Sequence, residues 1–139
     1  MTDHILLEVV TPECRVLSTR VSEVQFRTAA RGYYGILPGH TPTLTPLGDG
    51  LLHYTQGGEK RWITVFGGFA EVGPEHVTIL ARLSETLEKL DPAKVKAEAQ
   101  QAEKRLKEAQ TPEDLEQART ALDACLVRMQ ALGHSDHQL

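Results

Sequence analysis

Nothing in this chain approaches the run of roughly 18 apolar residues that a membrane-crossing helix needs, so no span is expected. No basic stretch at the start leads into an apolar core, and a secretory leader is not expected either. Charge of one sign is not in excess: 15 Lys and Arg stand against 19 Asp and Glu, a net charge of −4. Residues 1–90 hold 8 basic and 10 acidic side chains, and residues 91–139 hold 7 and 9. That even spread lacks the basic patch or stripe of a nucleic-acid partner. Cysteine is scarce, with Cys14 and Cys125 one in each half and neither in a Cys-x-x-Cys pair. Redox and thiolate-metal motifs are therefore missing, and a structural disulfide is not expected in a reducing compartment. The six histidines, His4, His40, His53, His76, His134 and His137, form no His-x-His or His-x-x-x-His pair, so metal-site spacing is missing too. No serine or cysteine sits in an elbow motif, and no glycine-rich loop precedes a helix. Glu71 and His76 read more simply as side chains flanking a turn than as an acid/base pair, and no active site of the chain's own is expected.

What is present is short, punctuated and mostly extended up to about residue 82. Val24, Phe26 and Thr28 alternate with Gln25 and Arg27, the period of a half-buried strand. Leu51 to Gln56 and Arg61 to Phe66 flank Gly57-Gly58, a hairpin signal. Phe69 to Val72, the turn Gly73-Pro74-Glu75 and His76 to Ala81 follow at once. Strands at this spacing with Gly/Pro turns predict a β-sandwich or barrel.

The pattern changes at Asp91-Pro92, a helix cap followed by the residue best suited to a first helical position. Val95, Ala99, Ala102, Leu106 and Ala109 then recur at steps of four and three on one helix face. Thr111-Pro112-Glu113-Asp114 repeats the start signal, and Leu115, Ala118, Leu122, Cys125, Met129 and Leu132 form a second seam, with Gly133 as its stop. These seams predict an antiparallel two-helix hairpin, with helices at about 92–109 and 112–132 and a frayed tail from His134 to Leu139. The expectation is thus mainly β plus α: an N-terminal sandwich of about ten short strands over residues 1–88, then a helical hairpin over 89–139. Because the first seam is mostly alanine, its burial is worth far less than the roughly 1.5–3 kcal/mol of a leucine. Two readings stay open, a hairpin that switches between positions and one packed permanently on the sandwich.

Three strings in order carry a resemblance: Val9-Val10-Thr11-Pro12-Glu13, Gly35-Ile36-Leu37-Pro38-Gly39-His40-Thr41-Pro42, and Gly67-Gly68-Phe69-Ala70-Glu71-Val72 followed by Val77-Thr78-Ile79-Leu80-Ala81. With the helical tail, they closely resemble the epsilon subunit of bacterial F-type ATP synthases, across about the first 90 residues in motif and the remainder in architecture. The resemblance implies a non-catalytic rotor subunit of a proton-translocating enzyme. Its sandwich would bind the gamma subunit and rest on the c-ring, peripheral to the cytoplasmic side of the cell inner membrane. The alternatives are a free-standing sandwich that binds another protein, with a coiled-coil tail, and a small metal-dependent barrel enzyme, which the histidine spacing disfavours.

Carried over residue by residue, the resemblance places the c-ring contact at the loop Arg31-Gly32-Tyr33-Tyr34-Gly35, hence Arg31, Tyr33, Tyr34 and Gly35. Family members often carry acidic residues around that glycine, where this chain has arginine before it and tyrosine after it. His40, which also closes the Pro38-Gly39 turn, and Thr45 lie where the family touches gamma. In many relatives the hairpin extends along gamma, meets the alpha and beta subunits, and blocks ATP hydrolysis. Here the second helix has only Arg119 and Arg128 against four acids, so modest inhibition is expected. Some relatives bind ATP through Ile/Leu-Asp-x-x-Arg-Ala. The matching stretch Leu90 to Val95 keeps leucine and Asp91, but Lys94 replaces the arginine, and lysine lacks its planar fork. ATP as a regulatory ligand is expected to bind weakly at Asp91 and Lys94, and no other cofactor is implied.

Overall fold

A computed structural model describes residues 3–134. Ten strands come first: β1 (Ile5–Val10), β2 (Arg15–Val21), β3 (Glu23–Thr28), β4 (Gly32–Ile36), β5 (Thr43–Pro46), β6 (Gly50–Gln56), β7 (Glu59–Phe66), β8 (Phe69–Val72), β9 (His76–Leu80) and β10 (Leu83–Thr86). A 3-10 turn over Leu87–Lys89 leads to α1 (Pro92–Glu108) and α2 (Pro112–Gly133). The strands form two five-stranded sheets, ordered β2-β1-β9-β8-β5 and β10-β7-β6-β3-β4. Every neighbouring pair is antiparallel except β1 with β9, which run parallel with Leu6 opposite His76 and Val10 opposite Leu80.

Period-two patterning builds the interior. Ile5, Leu7 and Val9 of β1, with Val77 and Ile79 of β9, point inward from the first sheet, and Val24, Phe26, Leu52 and Ile63 point inward from the second. At 2% exposure or less, each loses almost all contact with water, which is worth roughly 1.5–3 kcal/mol for such a side chain. The Gly57-Gly58 turn joins β6 to β7 as a two-residue hairpin with φ of 59° and 83°, the left-handed pair that matches strand twist.

The stretch from Arg31 to Gly35 differs from its expected loop. Only Arg31 lies in a turn; Gly32, Tyr33, Tyr34 and Gly35 belong to β4, an edge strand paired to β3 with Phe26 opposite Tyr34. Backbone pairing with β3 satisfies N–H and C=O groups that a loop would leave to water.

The second sheet is buried on both faces where α2 lies on it. Residues Gly50 to Tyr54 of β6 are all buried, so the positions that should face solvent, Leu51 and His53, are covered. Asp91 caps α1 by accepting from the amides of Ala93 and Lys94, and Thr111 caps α2 by accepting from the amide of Asp114. The α1 seam is as expected at Val95 and Ala102, which are buried. The α2 seam is as expected at Ala118 and Cys125, which are buried, and differs at Leu115 and Met129, which are 41% and 44% exposed. Ala131, outside the expected seam, is buried, because small residues let α2 approach its neighbours closely. Gly133 does not stop the helix in a left-handed turn. It is the last helical residue, and His134 caps it, its amide donating to the carbonyls of Ala131 and Leu132. His134 is therefore an ordered cap, and the rest of the expected frayed tail, residues 135–139 with His137, lies outside the described residues.

The chain changes sheets at Gly67-Gly68, between β7 of the second sheet and β8 of the first. Gly68 has φ of 99°, and a Cβ there would collide with the carbonyl oxygen of Leu80. Gly68→Ala is expected to cost upwards of about 2 kcal/mol, since conformational strain and a backbone clash add. Urea unfolding monitored by circular dichroism checks it, and an unchanged midpoint would contradict the assignment.

Candidate functional site

Three surfaces carry unusual side chains. The first surrounds β4. Alternation turns Tyr34 inward, half-buried against the core, and leaves Tyr33 outward at 49% exposure with Gly35 beside it. The Nδ1–H of His40 donates to the carbonyl of Thr41 at 2.7 Å, which leaves Nε2 to accept from the Tyr34 hydroxyl at 3.0 Å. The two rings meet edge to face at 5.6 Å. Arg31, Tyr34 and Thr45 line one cleft of about 280 Å³ with Thr28 and Leu44. The six interface residues singled out from sequence thus fall in two groups. Arg31, Tyr34, His40 and Thr45 gather around this cleft, whereas Tyr33 and Gly35 look out from the opposite side of β4.

The second surface is the outer face of the first sheet, which sequence reasoning passed over. Register aligns Pro46 with Phe69, Phe69 with Leu80, and Leu80 with Val10, making a four-strand apolar row. Phe69 is 52% exposed and Leu80 47%, and Leu44 beside them reaches 69%. The signal was present in sequence, since alternation along Phe69-Ala70-Glu71-Val72 puts an aromatic side chain on the side where Glu71 faces water.

The third surface is where α2 meets the outer face of the second sheet. The Nε–H of Arg128 donates to Glu85 Oε1 at 2.9 Å, and the guanidinium lies 5.3 Å over the ring of Phe66. Glu85 is held in turn by the hydroxyl of Thr64, which donates to Oε1 at 3.1 Å. Burial lowers the hold of Arg128 on its proton, but the hydrogen bond and charge of Glu85 outweigh it and raise the pKa. One turn back, burial pushes the Cys125 thiol up against the pull of Arg128, so it behaves as a small apolar group. At the helix end the His134 ring stacks on Trp62, with centroids 3.7 Å apart and planes 7° from parallel. His53 tilts against Trp62 at 4.6 Å and donates Nε2–H to Gln25 Oε1 at 3.0 Å. Farther toward its start α2 stands off, leaving an open cleft of about 530 Å³ between Phe66 and Leu83 on one side and Ala121 and Ala124 on the other.

Asp91 and Lys94 line a smaller cleft of about 210 Å³ with Glu85 and Arg128. Asp91 Oδ1 is engaged by the amides of Ala93 at 3.0 Å and Lys94 at 3.4 Å, and Arg128 is engaged by Glu85. Among the described residues there is no group of three or more His, Cys, Asp or Glu placed to hold a metal ion. No described helix is long and apolar enough to cross a membrane.

Comparison with known proteins places this arrangement. The beta-sandwich domain of the ATP synthase Delta/Epsilon chain matches residues 4–87, and the long alpha-helix domain of the same chain matches residues 88–133. The chain belongs to the epsilon family of the ATP synthase. The epsilon chain of Solibacter usitatus is 46% identical over 104 residues, covering 75% of this chain and 77% of the relative. Epsilon chain 2 of Syntrophotalea carbinolica is 38% identical over 135 residues, covering 96% of each. Among solved structures, a chain in the Euglena gracilis mitochondrial ATP synthase, resolved as OSCP/F1/c-ring, superposes with a TM-score of 0.82 at 26% identity. That match covers 95% of this chain and 83% of the Euglena chain. Epsilon chains are non-catalytic central-stalk subunits of the rotary enzyme, and this chain is one of them.

Within this epsilon fold His53 supplies a pH signature. Its buried Nδ1 has no hydrogen-bond partner, so a proton there would be an unpaired buried charge. Burial, then the charge of Lys60, lowers its pKa from 6.5, and Glu23 opposes. The unfolded chain therefore binds this proton at a higher pH than the folded one. The His53 contribution to stability is present at neutral pH and falls away as pH drops below about 6.5 toward the lowered value. Urea midpoints are expected to decline from neutral to mildly acidic pH, and His53→Gln should flatten the part of that decline lying near the histidine range.

Proposed function

We propose that this epsilon chain couples c-ring rotation to the catalytic head by docking on the gamma subunit through the outer face of its first sheet. The carrying observation is the exposed row Pro46, Phe69, Leu80 and Val10 with Leu44 alongside, since a contiguous apolar patch on a soluble face marks an interaction site. The hairpin occupies the other outer face, which leaves this one free for a partner. His40 and Thr45 sit beside the patch, at the β4–β5 connection and on β5. Tyr33 and Gly35 face the c-ring from the outer side of β4, Arg31 meets it from the turn that leads into the strand, and Tyr34 acts by holding His40 in place. This assembly puts the chain at the cytoplasmic side of the inner membrane. Leu80→Glu removes apolar area without disturbing the interior, and is expected to weaken the complex with the same organism's gamma subunit at least tenfold. Size-exclusion with native mass measures it, and undiminished assembly would move the gamma site elsewhere.

The hairpin acts as a modest brake on ATP hydrolysis. Leu115, Leu126 and Met129 leave an apolar stripe of α2 exposed in the docked position, available to the catalytic head when the helices extend. Arg128, one of only two cations on α2, is committed to Glu85 while docked. Enzyme carrying residues 1–90 is expected to hydrolyse ATP about twofold faster than enzyme with the full chain, which corresponds to about half of the assembled enzyme holding the hairpin extended at any time. Equal rates would remove the brake. Nucleotide binding at Asp91 and Lys94 is weak, because both Asp91 and the nearby Arg128 already have partners, and calorimetric titration is expected to show no micromolar site for ATP.

A further inference from the structure

The ring that ends α2 rests on the only tryptophan in the chain, and that contact has properties a plain apolar contact lacks. His134 follows the last helical residue, at the carbonyl end of α2, with its amide bonded to the carbonyls of Ala131 and Leu132. Its ring lies flat on Trp62 at 3.7 Å. An indole face attracts a cation, and the carbonyl end of a helix does the same. Both attractions grow when the imidazole gains a proton, but only the one to Trp62 is lost when the hairpin leaves the sandwich, so that one holds the hairpin while the other steadies the helix end in either position. We propose that the stack of His134 on Trp62 is a proton-operated clasp, holding the hairpin to the sandwich more firmly as His134 becomes charged. The proposal rests on the reading that the hairpin leaves the sandwich.

The surrounding groups are compatible with that sign. Beneath Trp62 lies His53 of β6, which burial and then the charge of Lys60 hold toward the neutral form, and repulsion from a charged His134 pushes it the same way, so the two rings do not carry charge together. Of the charged groups close enough to bear on His53, Lys60 of β7 opposes a further positive charge and Glu23 of β3 favours one. Arg128 on α2 is neutralised by Glu85 of β10. The 3-10 turn and the start of α1 bring Lys89, Asp91, Lys94 and Glu98 to the Arg128 side of the helix, two cations against two anions. The clasp consequently gains when the imidazole takes up a proton and weakens when it loses one. This is the reverse of the effect of His53 on whole-chain stability, so local and global responses are separable by direction.

Hydrogen exchange of the full chain, with acrylamide quenching of Trp62 as the optical partner, tests it at about pH 5.5 and about pH 8, either side of the imidazole range. In the natural sequence the opening constant of the α2 amides is expected to be about fivefold smaller at the lower pH, and Trp62 less accessible to quencher. His134→Gln keeps a polar group of similar size but cannot charge, and should abolish the difference. His53→Gln should preserve it. Local opening that is independent of pH, or a dependence that survives in His134→Gln, overturns the clasp while leaving a mobile hairpin in place. Hairpin amides that exchange only with the sandwich core overturn the detachment reading itself.

Discussion

Strands β6 and β7 cannot keep both faces dry without α2. Their inner positions belong to the sandwich interior, while Leu51, His53 and Phe66 on the outer side are buried only because a helix lies across them. Uncovering them exposes apolar area at roughly 25 cal/mol per Å² and lets water reach the bare Nδ1 of His53, which partly offsets that cost. The docked state is therefore favoured by a margin set on a small patch. That patch runs from Cys125 to His134, since the earlier half of α2 stands away from the sandwich over an open cleft. Everything asked of the hairpin, holding or releasing, is decided in its last two turns.

The sandwich divides its labour by face. One outer surface carries two contacts with α2, Arg128 over Phe66 and His134 on Trp62. The other presents a row of apolar side chains at in-register positions. Neither arrangement arises from the interior, which needs only the alternate residues. The outward positions of β8 and β9 are thus free to be chosen for a partner, and those of β6 and β7 for the hairpin. A single buried core supports two unrelated attachments because sheet geometry sends successive side chains in opposite directions.

Much of this was legible before any coordinates. The Gly57-Gly58 pair marked the β6–β7 hairpin, and Asp91-Pro92 and Thr111-Pro112 marked both helix starts, because each residue type meets a local backbone demand. What was missed depends on distant contacts. Tyr33 and Tyr34 between glycines read as a loop, but pairing with β3 makes them a strand. On α2 the periodic seam caught Ala118 and Cys125, which are buried, but also took in Leu115 and Met129, which are exposed, and it passed over Ala131, whose small size rather than hydropathy suits close approach. His134 looked like part of a polar tail, and the position of Trp62 on a remote strand gives its ring a contact that the sequence does not show. The apolar row on the first sheet was visible residue by residue, yet it becomes a patch only when register aligns four strands.

The connection between the two helices is just Ala109, Gln110 and Thr111, so α1 and α2 travel as one body. The free joint is at the other end, around Leu90 and Asp91, close to where Arg128 meets Glu85. Seventeen residues of α1 make a rod about 25 Å long. A tilt of about 10° at the joint, no more than a slight loosening of the ion pair, swings the far tip through about 4 Å by the same geometry. The hairpin is in this sense a lever with its fulcrum beside its fastening, and sub-ångström adjustments at the fastening become displacements large enough for a neighbouring subunit to feel.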